Sequence, residues 1–241
     1  MHTASVMMMR RPHALLFDLD DTLWPIAPVI ASAEQSWHDW LSQRVPALTE
    51  RYSVAELRSQ RMALLERQPG LIVDLYNLRR VALAQALHEI GADHSHLDGA
   101  MAHFAQCRNA VTPYADVAPG LARLQSLLPL GVVTNGNADL AVIGLQHHFK
   151  VNLAASRFGL AKPDPAIFHA ACAAMGVAPE HAVYVGDDLR LDVQGAQQAG
   201  LRGVWMRRSD VKHAELAGVE PDAICHDLHD LRHWLEAQMQ H

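Results

Sequence analysis

The stretch LLFDLDDTLW, Leu15 to Trp24, places three aspartates within four residues, directly behind an apolar run. The run HALLFD has the length and composition of a β-strand buried on both faces, and it ends at Asp18. Carboxylates repel one another, so crowding Asp18, Asp20 and Asp21 at the end of a buried strand costs stability. Their closeness raises the question of what compensates this repulsion.

The remaining sequence divides into a helical block and an alternating part. From Pro28 to about Val111, apolar residues recur three and four apart, which predicts amphipathic helices in VIASAEQSWHDWLSQ, SVAELRSQRMALLERQ, LYNLRRVALAQALHEIG and HLDGAMAHFAQCRNAV. After TPYADVAP, the predicted strands are LGVVTNG, VNLAAS, HAVYVGDD, RGVWMRR and DAIC. The predicted helices among them are GLARLQSLL, ADLAVIGLQHHF, PAIFHAACAAMG, DVQGAQQAG (closed by Gly200) and LHDLRHWLEAQMQ.

This alternation indicates βαβ units and an α/β fold, with a doubly wound parallel sheet covered by helices on both faces. The first strand belongs to the same sheet, so the helical block is an insertion after it. We therefore predict a core domain of residues 1–23 and 113–241 and an inserted helical domain of residues 24–112. A chain of 241 residues, half of them hydrophobic, is long enough for both.

Composition narrows the class of protein. The formal net charge of −6 argues against non-specific nucleic-acid binding, which needs a basic surface. No apolar run approaches the roughly 20 residues of a membrane span, and the patch in MHTASVMMMRRPH is too short for a secretory signal. Three scattered cysteines, Cys107, Cys172 and Cys225, do not form a disulfide framework. We expect a soluble cytoplasmic protein, without nucleic-acid or membrane partners and of undetermined oligomeric state.

Polar clusters follow three of the predicted strands, and ligands gather beyond the carboxyl ends of strands in such sheets. The clusters are DLDDT, TNGN and GDD, and the loop AKPDP adds Lys162. Asp18 and Asp20 project to the same side of an extended segment, and Asp187 ends another strand. A hydrated acidic turn accounts for DLDD alone, but not for the three clusters together. A hard divalent cation turns the repulsion into a binding site, and Mg²⁺ suits carboxylates, waters and a phosphate oxygen.

These clusters closely resemble the four motifs of the haloacid-dehalogenase superfamily, over nearly the whole chain. The Asp-x-Asp-x-Thr motif is Asp18 to Thr22, the second is Thr134 in VVTNGN, and the third is Lys162 in LAKPDP. The fourth is GDDLRLD, Gly186 to Asp192. The insertion after the first motif resembles the family's helical cap, of the type that closes over small substrates.

The resemblance implies a Mg²⁺-dependent phosphatase acting on a small phosphorylated metabolite. Asp18 would be the nucleophile that forms an aspartyl-phosphate, and Asp20 would protonate the leaving alcohol and then deprotonate the attacking water. Asp18, the Asp20 main-chain carbonyl and Asp187 would hold the metal.

Other motif residues would hold the phosphoryl group. Thr134 and the backbone N–H groups of Asn135 and Gly136 would bind its oxygens at the start of the next helix, where the helix dipole favours anions. Lys162 would act as a point positive charge on phosphate and nucleophile. The further acidic residues of the fourth motif would be supports: Asp188 and Asp192.

A narrower resemblance concerns the substrate. The stretches ALLFDLDDTLW, VTNGNA and VGDDLRLDVQGAQQAGLRGVWMRR resemble bacterial phosphatases of flavin metabolism, which act on 5-amino-6-(5-phospho-D-ribitylamino)uracil and on flavin mononucleotide (FMN). Phosphatases for pyrimidine nucleotides and sugar phosphates share these motifs and remain alternatives. On the inserted helices, Tyr76, Asn77, Arg79 and Arg80 either contact a ring-bearing substrate or pack and pair within the block; the same two interpretations hold for Trp24.

Three other functions fit the sequence less well. Haloacid dehalogenases lack an acid/base aspartate at the position of Asp20, because a halide leaves without a proton. A signalling receiver module is about half as long and carries its acidic pair and phosphorylated aspartate on different strands. A non-catalytic member of the fold would be expected to have lost Asp18, Asp20 or Lys162.

Overall fold

The computed structural model describes residues 11–211 and 216–240, so most of the N-terminal stretch considered as a signal lies outside the described residues. A six-stranded parallel sheet has the strand order β3-β2-β1-β4-β5-β6. Its strands are β1 (Ala14–Phe17), β2 (Leu130–Thr134), β3 (Phe149–Ala154), β4 (Ala182–Gly186), β5 (Arg202–Met206) and β6 (Ala223–Cys225). The predicted doubly wound α/β fold is confirmed.

Helices fill the chain between and after these strands. The helical block (residues 26–108) holds α1 (Ile26–Ser42), α2 (Pro46–Arg51), α3 (Val54–Arg67), α4 (Leu75–Glu89) and α5 (Leu97–Arg108), with a 3₁₀ turn at Pro69–Val73. The later helices are α6 (Val117–Leu127), α7 (Leu140–Ile143), α8 (Ala155–Phe158), α9 (Pro165–Met175), α10 (Gly195–Gln198) and α11 (Leu228–Met239). No helix in the described part of the chain combines the length and the apolar character that crossing a membrane requires.

Alternating side chains of the strands form two hydrophobic layers, one on each face of the sheet. Leu15 and Phe17 lie in one buried cluster with residues of α6 and α11. Leu16, between them, lies in a second cluster with Tyr184 and residues of α9 and α10. Since neighbouring residues of a strand point to opposite faces, a strand covered on both sides must be apolar throughout, as β1 is. Each fully buried leucine or phenylalanine contributes about 1.5–3 kcal/mol.

One predicted helix is wrong. The pattern ADLAVIGLQHHF predicts a single helix, but α7 ends at Ile143 and Gly144 has a left-handed φ of +87°. A 3₁₀ turn at Gln146–His148 then leads directly into β3. Glycine stops the helix because it adopts this conformation without steric cost. The predicted helix DVQGAQQAG also differs at its start, where a π-helical turn, Leu189–Gln194, precedes α10.

The helical block has hydrophobic clusters of its own, formed by residues of α1 to α5. The two connections to the sheet run side by side, because the N–H of Tyr114 donates to the carbonyl of Leu23 at 3.0 Å. Val73, in the 3₁₀ turn before α4, packs against the cluster on the α9 face of the sheet. The domain boundaries at residues 24 and 113 remain a prediction.

A buried carboxylate ties three helices of the block together. Glu34 of α1 is paired with Arg58 and Arg61 of α3 and with Arg79 of α4. The guanidinium of Arg79 also lies over the ring of Phe104 of α5, 3.5 Å from its centroid. Burial works against the charged carboxylate, but the three arginines hold the pKa of Glu34 below its ordinary value of 4.5. The charged carboxylate of Glu34 therefore joins α1, α3 and α4.

Glu34→Gln is expected to lower the free energy of unfolding at pH 7 by about 3 kcal/mol, because it leaves the buried Arg79 and the mostly buried Arg61 without a counter-charge. Urea unfolding measures the change. The matched control is Glu236→Gln, which removes a partly exposed pair with Arg232 on one face of α11 and should cost less than about 1 kcal/mol. Equal losses in the two variants would contradict the structural role of Glu34.

The stability of wild type and of Glu34→Gln should also differ in its dependence on pH. The pKa of Glu34 is lower in the folded state than in the unfolded state, so its stabilisation is fully present above 4.5 and is lost as the pH falls through the folded value. The difference in unfolding free energy between wild type and Glu34→Gln should therefore shrink between pH 7 and pH 3. A difference that stays constant or grows in acid would be the opposite result.

Candidate active site

A cavity of about 250 Å³ opens at the carboxyl ends of β1, β2 and β4. Its position follows from the sheet order, because these three strands are neighbours and their following loops meet at one edge. Leu75, at the start of α4, contributes an apolar side chain from the helical block. All eight of the predicted site residues line this cavity: Asp18, Asp20, Thr134, Asn135, Lys162, Asp187, Asp188 and Asp192.

Lys162 lies at the centre of the buried end of the cavity. Its Nζ donates to Asp18 Oδ1 at 2.7 Å, to Asp192 Oδ1 at 2.6 Å and to the Tyr184 hydroxyl at 2.8 Å. Burial disfavours the ammonium, but the carboxylates of Asp18 and Asp192 raise the pKa of Lys162 well above its ordinary value. All three of its N–H bonds are used, so Lys162 is a fixed positive charge beside Asp18.

Tyr184 is a site residue that the sequence analysis missed. It lies on β4, where the run VYV reads as an apolar strand, and its side chain is fully buried. Its hydroxyl accepts from Lys162 and donates to the carbonyl of Val133 at 2.7 Å. A buried hydroxyl in an otherwise apolar strand needs a hydrogen-bond partner. In the sequence, this requirement was the only indication that Tyr184 belongs to the site.

Asn135 holds the main chain at Lys162. The Lys162 N–H donates to Asn135 Oδ1 at 2.8 Å, and Asn135 Nδ2 donates to the Lys162 carbonyl at 3.0 Å. These reciprocal bonds fix the loop before α9 against the loop after β2. The side chain of Asn135 is therefore a support for Lys162, and phosphate binding by its backbone N–H remains a prediction.

Three carboxylates at this edge repel one another. Oxygens of Asp18, Asp187 and Asp192 lie within 4.8 Å of one another. Burial, with some contribution from neighbouring carboxylates and against the pull of Lys162, raises the pKa of Asp18 to about 7. Burial and the charges of Asp18 and Asp192 raise that of Asp187 to about 9. Lys162 alone does not compensate this charge, and a divalent cation bound by oxygen ligands would.

The carboxylates of the fourth motif differ in their contacts. Asp192 is buried, and its oxygens accept from Lys162 and from the Asp188 N–H, the latter at 3.0 Å. Asp188 is exposed and accepts from the N–H groups of Arg190 and Leu191, each at 2.8 Å. Both are engaged in holding Lys162 and the π-helical turn. Asp187 lines the cavity beside Asp18.

Asp20 does not join the carboxylate group. Its Oδ1 accepts from Trp24 Nε1 at 2.8 Å, and Arg108 Nη2 donates to Oδ1 at 2.8 Å and to Oδ2 at 2.6 Å. Arg108 is the last residue of α5, and the sequence analysis did not single it out. The predicted metal contact of Asp20, through its main-chain carbonyl, remains a prediction.

The turn after Asp20 is fixed by Asp21, which has a φ of +57°. Its Oδ1 accepts from the N–H of Ile26 at 2.9 Å, at the start of α1. The Asp21 N–H donates to the carbonyl of Trp24 at 2.8 Å. Thr22 is buried in this turn, with its hydroxyl 3.4 Å from Asp187 Oδ1. Asp21 therefore positions the acidic loop (residues 18–24) against the helical block.

Thr134 ends β2, and its Oγ1 accepts from the Gly136 N–H at 2.9 Å. A Cβ on Gly136 would lie 2.6 Å from Asp20 Oδ2 and 3.2 Å from Thr134 Oγ1, so a side chain there would require the Asp20 carboxylate to shift. The predicted contribution of a helix dipole is wrong. The next helix, α7, begins only at Leu140 and has four residues, too few to build a dipole at Thr134.

The block residues considered for substrate contact mostly pack and pair. Trp24 is fully buried against Asp20, and Arg79 is buried in its pair with Glu34. Arg80 forms an exposed pair with Asp98 at 3.3 Å. Tyr76 has an exposed side chain next to Leu75.

Comparison with known proteins places this geometry in a family. A model described as haloacid dehalogenase-like hydrolase matches residues 12–200. The chain is 31% identical to the Escherichia coli 5-amino-6-(5-phospho-D-ribitylamino)uracil phosphatase YigB, over 82% of this chain and 84% of that protein. It is 32% identical to a glyceraldehyde 3-phosphate phosphatase of Methanopyrus kandleri, over 84% and 87%.

Solved structures give the same architecture. A 2-haloacid dehalogenase from Pseudomonas syringae pv. Tomato superposes with a TM-score of 0.86 at 37% identity, over 94% of this chain and 99% of that one. A phosphatase from Thermococcus onnurineus superposes with a TM-score of 0.65 at 27% identity, over 92% and 97%. The family match takes in β1, the helical block and the loops after β2 and β4, and the chain therefore belongs to the haloacid dehalogenase-like hydrolase family.

Proposed function

We propose that this hydrolase is a Mg²⁺-dependent phosphatase that cleaves a small phosphomonoester through an aspartyl-phosphate on Asp18. The observation that carries the proposal is the pairing of two different carboxylates in one loop. Asp18 is held by Lys162 at the buried end of the cavity, whereas Asp20 is held separately by Trp24 and Arg108. This difference in contacts supports separate roles, with Asp18 as nucleophile and Asp20 in proton transfer. The class of phosphoric monoester hydrolase is also that of the named relatives, which include a Thermus thermophilus phosphoserine phosphatase.

In the first step, Asp18 attacks phosphorus and the bond to the leaving alkoxide breaks. Asp20 gives its proton to that oxygen, so that an alcohol leaves. Lys162 is held by three hydrogen bonds, and its charge offsets the negative charge that develops around Asp18. The hydroxyl of Thr134 and the backbone N–H groups of Asn135 and Gly136 are the proposed partners of the phosphoryl oxygens.

In the second step, water attacks the phosphorus of the aspartyl-phosphate. Asp20, now ionised, takes the proton of this water, and Asp18 is released with inorganic phosphate. Splitting one slow displacement into two assisted ones is what a covalent nucleophile contributes. Phosphate monoesters need such help, because the uncatalysed reaction is among the slowest known, with rate enhancements up to about 10²¹.

Magnesium fits the donor set of this site. Asp18 and Asp187 offer carboxylate oxygens whose pKa values are raised by burial, and the Asp20 main-chain carbonyl is a third oxygen in the same loop. When bound, the ion would supply positive charge to the oxygens of the transferring phosphoryl group. Asp192 is not assigned as a ligand, because Lys162 and the Asp188 N–H take its oxygens.

A second candidate, 2-haloacid dehalogenase, is favoured by the structural neighbour of that name at 37% identity. The acid/base residue separates the two reactions. A halide needs no proton on leaving, whereas an alkoxide does, and this chain keeps Asp20 in a cavity with two hydrogen-bonding partners. This residue supports phosphatase chemistry.

For the substrate, we propose a phosphomonoester of flavin synthesis, either 5-amino-6-(5-phospho-D-ribitylamino)uracil or FMN. Support comes from the YigB relative at 31% identity. Pyrimidine nucleotides and sugar phosphates are the alternatives. We further propose that residues 24–112 act as a cap, because Leu75 of the helical block lines the cavity. The cytoplasm is the proposed location, which cell fractionation would test.

Asp18→Asn should lower phosphate release by about 10⁴-fold or more while the protein stays folded, because the side chain keeps its shape and loses its nucleophilic oxygen. EDTA should abolish wild-type activity, and added Mg²⁺ should restore it. Phosphate release and circular dichroism are the measurements. Exposed Asp98→Asn serves as the matched control and should keep full activity. Normal turnover in Asp18→Asn would refute the nucleophile assignment.

A substrate panel tests whether the enzyme is a phosphatase and which phosphomonoester it prefers. The panel holds FMN, the ribitylaminouracil phosphate, pyrimidine nucleotides, sugar phosphates, phosphoserine and 2-chloropropionate, with phosphate or chloride release as the readout. We expect phosphate release, with the highest kcat/KM for the flavin-pathway compounds, and no chloride. Chloride release without phosphate release would establish the dehalogenase, and similar rates on all phosphates would remove the flavin assignment.

Tyr184→Phe should lower kcat by about 10-fold and stability by about 1–3 kcal/mol, because it leaves a Lys162 N–H and the Val133 carbonyl without a partner in a buried place. Steady-state kinetics and urea unfolding measure the two effects. Tyr76→Phe, on an exposed side chain, is the control. An unchanged kcat in Tyr184→Phe would show that Lys162 does not depend on this hydroxyl.

A further inference from the structure

The acid/base carboxylate of the proposed reaction is held from outside its own loop. Arg108 Nη2 contacts both oxygens of Asp20, and Arg108 Nε donates to Asn137 Oδ1 at 2.9 Å. The side chain of Arg108 is only 3% exposed. One buried guanidinium therefore joins the end of α5, the acidic loop and the loop after β2.

These contacts distinguish the two oxygens of Asp20. Oδ1 accepts from both Trp24 Nε1 and Arg108 Nη2, so both of its lone pairs are used. Among the described residues, Oδ2 accepts only from Arg108, and it lies against Gly136, where a Cβ would be 2.6 Å from Oδ2 and 3.2 Å from Thr134 Oγ1. The oxygen with an unused lone pair therefore lies on the side of Thr134, where the phosphoryl group is proposed to bind.

A carboxylate held only through Oδ1 could still rotate about its Cβ–Cγ bond. The second contact, from Arg108 to Oδ2, fixes the plane of the group. General acid–base catalysis needs the donor within hydrogen-bond reach of the reacting oxygen, so this orientation decides whether Asp20 can work.

We propose that Arg108 is a positioning residue that aims Oδ2 of Asp20 at the leaving-group oxygen, and that Asn137 holds Arg108 in place for this task. The inference rests on the proposed phosphatase function. It also ties proton transfer to the helical block, because Arg108 is the last residue of α5. If the block moves relative to the sheet, the aim of Asp20 changes with it.

The test uses two phosphate esters that differ in their need for a proton. An alkyl phosphate needs the acid to release its alkoxide, whereas p-nitrophenyl phosphate releases a stable phenolate without one. Arg108→Ala should lower kcat/KM for the alkyl ester by about 100-fold and for the aryl ester by less than about 3-fold. The KM for the alkyl ester should stay within about 3-fold of the wild-type value.

A second signature concerns the aspartyl-phosphate. Its hydrolysis needs Asp20 as base, so with the aryl ester the variant should show a burst of nitrophenolate equal to the enzyme concentration, followed by slow turnover. Asp20→Asn should give the same pattern. Arg108→Lys should recover part of the loss, because a lysine restores the charge but not the contact with both oxygens.

Controls separate this role from a general loss of structure. Arg80→Ala removes an arginine of the same block that pairs with Asp98 at the surface, and it should leave both esters unaffected. Asn137→Ala keeps the buried ion pair of Arg108 with Asp20, and it should lower kcat/KM for the alkyl ester selectively but by a smaller factor than Arg108→Ala. This variant tests the inference even if Arg108→Ala does not fold. Equal losses on both esters, or no loss, in the folded variants would overturn the inference while leaving the phosphatase in place. A wild-type enzyme inactive on both esters would overturn the proposed function itself.

Discussion

The buried ammonium of Lys162 between Asp18 and Asp192 is the interaction on which the site depends. The strand order places β1 beside β4, so the acidic residues that follow these strands must lie close together. Oxygens of three carboxylates lie within 4.8 Å of one another, and the ammonium of Lys162 offsets part of their negative charge. Two further contacts hold Lys162. Its ammonium donates to the hydroxyl of Tyr184 on β4, and its main-chain N–H donates to the side chain of Asn135 in the loop after β2. A buried charge pair of this kind stabilises little by itself, because desolvation takes back most of the attraction. Its contribution is to fix the position of Asp18, the proposed nucleophile.

Much of the fold and site could be predicted, because the relevant information is local. Strands buried on both faces must be apolar throughout, which made β1, β2 and β4 visible as LLF, GVV and VYV, and amphipathic periods marked the helices of the block. The rule that ligands gather at the carboxyl ends of parallel strands then brought distant clusters to one place. This rule sufficed for every predicted site residue to line one cavity, although they stand at positions 18 to 192. What each of them does there is a separate matter that the cavity does not test.

The residues that sequence reasoning missed act over long separations or through shape. Arg108 is 88 residues from Asp20, and nothing in the pattern of α5 distinguishes it from an arginine at an exposed helix end. Tyr184 reads as one more large residue in a buried strand, and its hydroxyl is informative only once Lys162 is known to lie above it. The backbone N–H of Gly136 was among the predicted site groups, but the closeness of this glycine to Asp20 is a contact that no local turn preference reveals. The signal for the early end of α7 was local, because Gly144 follows Ile143 directly. The prediction nevertheless followed the helical spacing of the apolar residues and extended the helix past this glycine.

Similarity alone does not separate phosphatase from dehalogenase, since neighbours with both names match this chain over most of its length. The distinction lies in the treatment of one leaving-group proton, and here the contacts of Asp20 are informative. A buried arginine and a tryptophan N–H donate to this carboxylate, and Gly136 lies close against it. Burying an arginine is costly unless it is paired. The pair of Arg108 with Asp20 also joins the end of α5 in the helical block to the acidic loop. A reaction whose leaving group departs unprotonated has no use for a carboxylate fixed at both oxygens, whereas the release of an alkoxide depends on where that carboxylate points.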